Sequence, residues 1–176
     1  MIKKGRLVES RQVFDGRVVR LAVDRVVLPN DVEAEIEVVR HRGAAAVVPL
    51  DAQGNVHLVR QYRYAPDEWL LEVPAGKLDP GEPPQVCAAR EVEEEVGQRV
   101  GTMVPMGFIW TTPGFTDEKI WLYLATDLAP VEASLEDDEV LTVERMPLER
   151  AVAMAQRGEI RDAKSICALL RAPHFR

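Results

Sequence analysis

Along residues 32–39 the chain reads Val-Glu-Ala-Glu-Ile-Glu-Val-Val, apolar and acidic in turn, which is the period of a strand with one buried face. Residues 13–21, 24–28 and 34–41 read as extended segments, with a turn at Pro29-Asn30-Asp31. From Gly43 the pattern changes to continuous apolar runs. Residues 44–50 and 56–62 read as two strands joined by the Gly54-containing turn at 51–55, together a hairpin. Residues 69–76 are again extended, followed by a loop at 77–82 punctuated by Pro80-Gly81. Pro83-Pro84 suits a helix start, residues 85–96 read as helix, and Gly97 is its C-terminal stop. Strands are expected at 104–111, 118–125 and 140–146, a loop at 112–116, and helices at 147–157 and 161–171. No internal repeat or low-complexity run interrupts the order.

Mixed strands and helices define an α/β class. Residues 1–42 form a strand-rich N-terminal segment with too little core to stand alone, so it should pack on the rest or on a partner chain. Residues 43–176 form the main domain.

Composition narrows this picture only slightly. The 176 residues are 47% hydrophobic, enough for one core. No apolar run approaches the roughly 18–20 residues of a membrane span, and the N-terminus lacks the apolar stretch of a secretory signal. Cys87 and Cys167 lie far apart in no ligand spacing, so free thiols in a reducing cytoplasm are expected. The net charge of −7 argues against a nucleic-acid partner, and nothing suggests a membrane one. Position matters more than the sum: residues 72–97 hold seven acids against Lys77 and Arg90, and residues 132–144 hold six acids and no base. The remainder is mildly basic. Acidic runs are usually solvated faces, but two concentrated patches also suit cations.

On a helix, positions i, i+3 and i+4 share a face. Glu91, Glu94 and Glu95 stand in that relation, and such like charges repel unless something intervenes. A hard divalent cation would turn the repulsion into coordination. On these three residues alone, an acidic solvated face is the simpler reading.

The fuller pattern changes the balance. Gly76, five residues, Glu82, seven residues, then Arg90-Glu91-Val92-Glu93-Glu94-Glu95-Val96-Gly97 resembles the Nudix hydrolase box, with eight fixed or class-restricted positions in register. Gln98 departs from the aliphatic residue usual after the last glycine, at a position that packs rather than reacts. The resemblance implies an α/β/α sandwich with a mixed sheet. It also implies hydrolysis of a nucleoside diphosphate linked to another moiety, using Mg²⁺ or Mn²⁺. Glu91, Glu94 and Glu95 would hold the metal, Glu82 would assist, and the carbonyl of Ala75 would be a backbone ligand. Arg90 would fix Glu91 by a charge-assisted pair. Glu93 points away from the stripe and reads as solvated.

Further motifs resemble the branch that cleaves ADP-ribose and related nucleoside diphosphate sugars. Leu70-Leu71-Glu72-Val73-Pro74-Ala75-Gly76 looks like its entry to the box, and Arg60-Gln61-Tyr62-Arg63 like its strand end. By that match Arg63, with Gln61 nearby, would meet the substrate diphosphate. Pro113, sixteen residues after Gly97, falls at the branch's marker proline. Glu136-Asp137-Asp138-Glu139 resembles its acidic catalytic loop, with Glu139 the first choice for the catalytic carboxylate and Glu136 the next. Glu35 stands where the branch commonly has an arginine, which leaves another nucleoside diphosphate sugar open as the better substrate. Phe14, Val18 and Arg17 are candidates to wall the base, with core or surface roles as the alternative. The branch commonly forms a homodimer through its N-terminal strands. Trp69, Trp110 and Trp121 read as core or interface, and His41, His57 and His174 have no ligand spacing. The expected activity is metal-dependent hydrolysis to a nucleoside monophosphate and a sugar phosphate. Alternatives are a dinucleoside polyphosphate hydrolase of the same family and a catalytically silent nucleotide-binding regulator.

Overall fold

The computed structural model describes residues 2–135 and 140–175. The chain divides into two compact units, Met1–Gly43 with Trp110–Lys119, and Ala44–Ile109 with Ile120–Arg176.

In the first unit β1 (Arg6–Asp15), β2 (Arg20–Val27) and β3 (Glu33–Arg40) make an antiparallel meander. The extended segment expected over 13–21 is instead broken in its middle. Asp15-Gly16 opens a turn, closed by a bond from the Gly16 N–H to the Val19 carbonyl at 3.0 Å. β1 is exposed along its whole length, so it carries no burial signal in the sequence. On β2 the buried Asp24 accepts from Ser10 Oγ at 2.6 Å and pairs with Arg40. Arg40 also donates to Asp117 at 3.2 Å, and the His41 N–H donates to Asp117 at 2.8 Å. Backbone bonds between Val39 and both Phe115 and Asp117 tie Trp110–Lys119 to the end of β3.

The second unit runs β4 (Ala44–Pro49), β5 (Asn55–Arg63), β6 (Glu68–Glu72), β7 (Ala75–Lys77), α1 (Pro84–Val96), β8 (Gln98–Trp110), β9 (Lys119–Pro130), β10 (Leu141–Pro147), α2 (Leu148–Gln156) and α3 (Ala163–Arg171). The strand order is β7-β4-β9-β8 in one sheet and β10-β5-β6 in another. The first sheet is mixed: β4 runs parallel to β9 and antiparallel to β7. The expected β4–β5 hairpin is only partly formed. The turn at 51–55 is present, but past the single Leu50–Val56 bridge the strands part and enter different sheets. Each finds a longer partner elsewhere, which a local apolar pattern does not reveal.

Asp51 builds that turn. Its carboxylate accepts from the N–H groups of Gln53 and Asn55, both at 2.9 Å, and pairs with Arg145. Gly54 supplies the positive φ of 81° that the turn requires.

β4 is apolar on both faces because it is covered on both. Ala45 and Val47 pack with Val59 and the α1 residues Cys87, Ala88, Val92 and Val96. Ala44, Ala46 and Val48 share the opposite core with Leu148, Ala151, Ala168 and Leu169 of α2 and α3. The result is the expected α/β/α layering. No helix among the described residues is long and apolar enough to cross a membrane.

Candidate functional site

Helix α1 carries the site, and its ends are set locally. Pro84 occupies the first turn, where its missing N–H costs nothing. Gly97 terminates the helix at φ 68°, and its N–H returns to the Glu93 carbonyl at 3.1 Å. The buried stripe between them is Cys87, Ala88, Glu91, Val92, Glu95 and Val96. Two of those six are carboxylates: Glu91 is 6% exposed and Glu95 3%. A carboxylate withdrawn from water needs a compensating charge or hydrogen bonds, so the contacts of these two decide what the site is for.

Arg90 supplies much of the compensation. Its Nη1 donates to Glu91 at 2.7 Å and to Glu94 at 2.8 Å, while Nε and Nη2 hold Glu82 at 3.1 and 3.2 Å. A further bond goes from Nη2 to the Lys77 carbonyl at 3.3 Å. One guanidinium thus gathers three carboxylates, the service for which its planar fork is suited. The Arg90 hydrogen bond holds Glu82 below the usual carboxylate range, and Glu82 in turn raises Arg90. Burial, with Glu91 and Glu82 nearby, pushes the Cys87 thiol up to about 12, which leaves it protonated and inert. Glu93 points outward to Arg99 at 3.2 Å, as a solvated residue should.

The strand entering the helix closes the cluster from the other side. The Ala75 N–H donates to Glu95 at 3.2 Å. Gly76 lies directly against Glu91, in space that any side chain would fill. Among the described residues no three acidic, histidine or cysteine side chains converge on one point as bound-metal ligands do. The carboxylates meet on the guanidinium instead. Glu82, Glu91, Glu94, Glu95 and the Ala75 carbonyl nevertheless form an all-oxygen donor set of high negative charge, which suits a hard divalent cation. The residues present fit a divalent metal.

A second network lies at the end of β6, just before β7. Glu72, 1% exposed, accepts two bonds from Arg63, from Nε at 2.9 Å and from Nη2 at 2.8 Å. Lys164 of α3 also donates to Glu72, and pairs with Asp162 at 3.0 Å. Burial alone would raise Glu72, but Arg63 and Lys164 outweigh it and lower the carboxyl below its ordinary value. The Glu72 bond raises Arg63, with Glu95 and Asp162 adding to the field. Asp162 caps α3 by accepting from the Ser165 N–H at 2.9 Å, and Ser165 Oγ accepts from the Val73 N–H at 2.8 Å. Residues 72–76 are therefore gripped at Glu72, Val73 and Ala75, and abut Glu91 at Gly76. Glu72 belongs to the quoted entry motif, but its partner Lys164, with Asp162 and Ser165 behind it, left no signal in the sequence.

Gln61 is buried on β5, and its Oε1 has no hydrogen-bond partner among the described residues. Phe14 ends β1 exposed, and Arg17 lies in the β1–β2 turn; Val18 is exposed there too. Pro113 lies in the Trp110–Lys119 segment. These last four belong to the first unit, the carboxylate cluster to the second. Glu136 and Glu139 lie outside the described residues.

The fold is an α/β/α sandwich shared with a solved structure: one described as an ADP compounds hydrolase superposes with a TM-score of 0.84, over 99% of this chain and 95% of that one, at 22% identity. The NUDIX domain family matches residues 39–169, and the chain belongs to that family. It is 40% identical to the methanol dehydrogenase activator of Bacillus methanolicus over 92% of this chain and 89% of the relative. It is 36% identical to the ADP-ribose pyrophosphatase of Bacillus subtilis (strain 168), with the same coverage of both chains.

Proposed function

We propose that this Nudix protein hydrolyses the diphosphate of ADP-ribose or a related nucleoside diphosphate sugar, releasing a nucleoside monophosphate and a sugar phosphate. The observation that carries the proposal is the gathering of Glu82, Glu91 and Glu94 on Arg90, with Glu95 fixed to the Ala75 N–H and the Glu91 carboxylate packed directly against Gly76. The likeness to an ADP-ribose pyrophosphatase supports the substrate class.

Glu91, Glu94 and Glu95, with Glu82 and the Ala75 carbonyl, would hold Mg²⁺ or Mn²⁺. The bound ion supplies charge neutralisation at the diphosphate and a water of lowered pKa. Arg90 holds Glu82, Glu91 and Glu94 in place. Arg63 offers its guanidinium to a diphosphate oxygen, with Gln61 beside it on β5. Glu139, or failing it Glu136, is the carboxylate that takes the proton as water adds across the P–O–P bridge. Pro113, Phe14 and Arg17 are assigned to the sugar and base. Apolar side chains exposed on β1, among them Leu7, Val13 and Phe14, support a homodimer built through the N-terminal segment. A cytoplasmic location, with neither nucleic acid nor membrane as partner, accords with the acidic balance and the free cysteines.

The likeness to a methanol dehydrogenase activator favours a second reading, in which the chain acts on a dehydrogenase. A panel of nucleoside diphosphate sugars, including ADP-ribose and GDP-mannose, assayed with Mg²⁺ and with Mn²⁺, decides between them. Metal-dependent release of nucleoside monophosphate supports hydrolysis. Its absence across the panel overturns it.

A further inference from the structure

The network around Glu72 lies outside the box, yet it controls the arginine assigned to the diphosphate. A guanidinium has two edges that can each form a pair of parallel hydrogen bonds. Glu72 occupies the Nε–Nη2 edge of Arg63. That fixes the plane of the group and directs its other edge, Nη1 with the outer Nη2 hydrogen, away from the carboxylate. A buried carboxylate bound to Arg63 alone would also cancel most of the arginine's charge, leaving a weak anion site.

Lys164 changes that balance. Its ammonium, largely buried, donates to the same Glu72 oxygen that receives Arg63 Nη2, and is anchored from behind by Asp162 at 3.0 Å. Asp162 is in turn fixed as the N-cap of α3. Glu72 is thereby shared between two cations. Arg63 keeps part of its charge for an incoming anion, and the carboxylate that orients it cannot swing away.

We propose that Lys164 is a positioning residue for the diphosphate: through Glu72 it sets the orientation and the unneutralised charge of Arg63. The inference rests on the reading of Arg63 as a diphosphate ligand. It assigns to α3, ninety-two residues from Glu72 in the chain, a part in substrate binding.

The test is a double-mutant cycle with ADP-ribose and Mg²⁺, using Lys164→Met, Arg63→Met, the double variant and Lys164→Arg, with melting temperatures measured alongside. Lys164→Met should raise KM about tenfold with kcat within about threefold, and Lys164→Arg should restore most of the affinity. The double variant should be no worse in KM than Arg63→Met alone, because the lysine acts through the arginine. If Arg63→Met raises KM and Lys164→Met does not, the positioning role is wrong and the arginine's role stands. If the two effects multiply, Lys164 acts independently of Arg63 and the proposal also falls. If Arg63→Met leaves KM unchanged, the reading of Arg63 fails, and the proposal with it. Should Lys164→Met fold poorly, Glu72→Gln takes its place, keeping the side-chain shape while removing the shared charge; an unchanged KM there overturns the proposal equally.

Discussion

A Cβ placed on Gly76 would stand 1.7 Å from Oε1 of Glu91. The glycine is required by this approach, not by its backbone angles, since it is absent from the positive-φ residues. Gly76→Ala must therefore push the Glu91 carboxylate off its place and away from Arg90. The strand itself can accommodate alanine, so the fold should persist. We expect kcat to fall at least about tenfold with the circular dichroism spectrum unchanged; a fully active variant would show that Glu91 works from another position.

Arg90 holds Glu82, Glu91 and Glu94 at once. Arg90→Met leaves three carboxylates facing one another with their common partner gone, at a cost of about 2–3 kcal/mol in urea denaturation with EDTA present. Arg90→Lys should fall between the two, because a single ammonium cannot reproduce the fork. Added Mg²⁺ should return part of the lost stability, since a cation bound among the same carboxylates stabilises the folded state by mass action. A loss unaffected by Mg²⁺ would count against metal at this site.

How far the sequence discloses the molecule depends on distance along the chain. Helix α1 is legible because everything that defines it is local: Pro84 at the start, Gly97 at the end, and the 3.6-residue stripe between. The carboxylate cluster is legible for the same reason, aided by the family spacing from Gly76 to Gly97. The fate of β4 and β5 is not, because a turn at Asp51–Asn55 looks identical whether the strands stay paired or part into two sheets. β1 is invisible to a pattern argument, having no buried face to impose a period. The Lys164–Glu72 pair is the extreme case, since no local rule relates residues on α3 and β6.

Asp51 gives a pH-dependent contribution whose sign is fixed. Burial would raise its pKa, but bonds from Asn55, Gln53 and Arg145 prevail and lower it from 3.8 to about 2. A group whose folded pKa lies below its unfolded value contributes fully above the unfolded value, and loses that contribution as pH falls through the folded one. Asp51→Ala should cost about 1–2 kcal/mol near neutral pH, measured by urea denaturation. The gap between wild type and variant should close progressively between about pH 4 and pH 2.

Gly97 ends α1 one turn beyond Glu94. An alanine there meets both a positive φ of 68° and the Val131 carbonyl at 3.0 Å. Gly97→Ala should destabilise the protein by about 1 kcal/mol or more, seen as a lower melting temperature. Activity per folded molecule should fall less than in Gly76→Ala, because no carboxylate is displaced directly.

Glu95 and Glu94 separate charge from structure in the metal proposal. Glu95 is buried and accepts from the Ala75 N–H at 3.2 Å. In Glu95→Gln the amide oxygen can accept the same bond, so the strand–helix link survives while the negative charge is lost. Glu94 is more exposed and bonds Arg90, a contact that glutamine keeps in weaker, uncharged form. Both variants should retain the wild-type fold and lose turnover by about a hundredfold or more, and the stabilisation by Mg²⁺ should shrink in each. A near-normal kcat at saturating Mg²⁺ in either would remove that residue from the metal site. Retained turnover in both would leave Arg90 with a cluster that is structural alone.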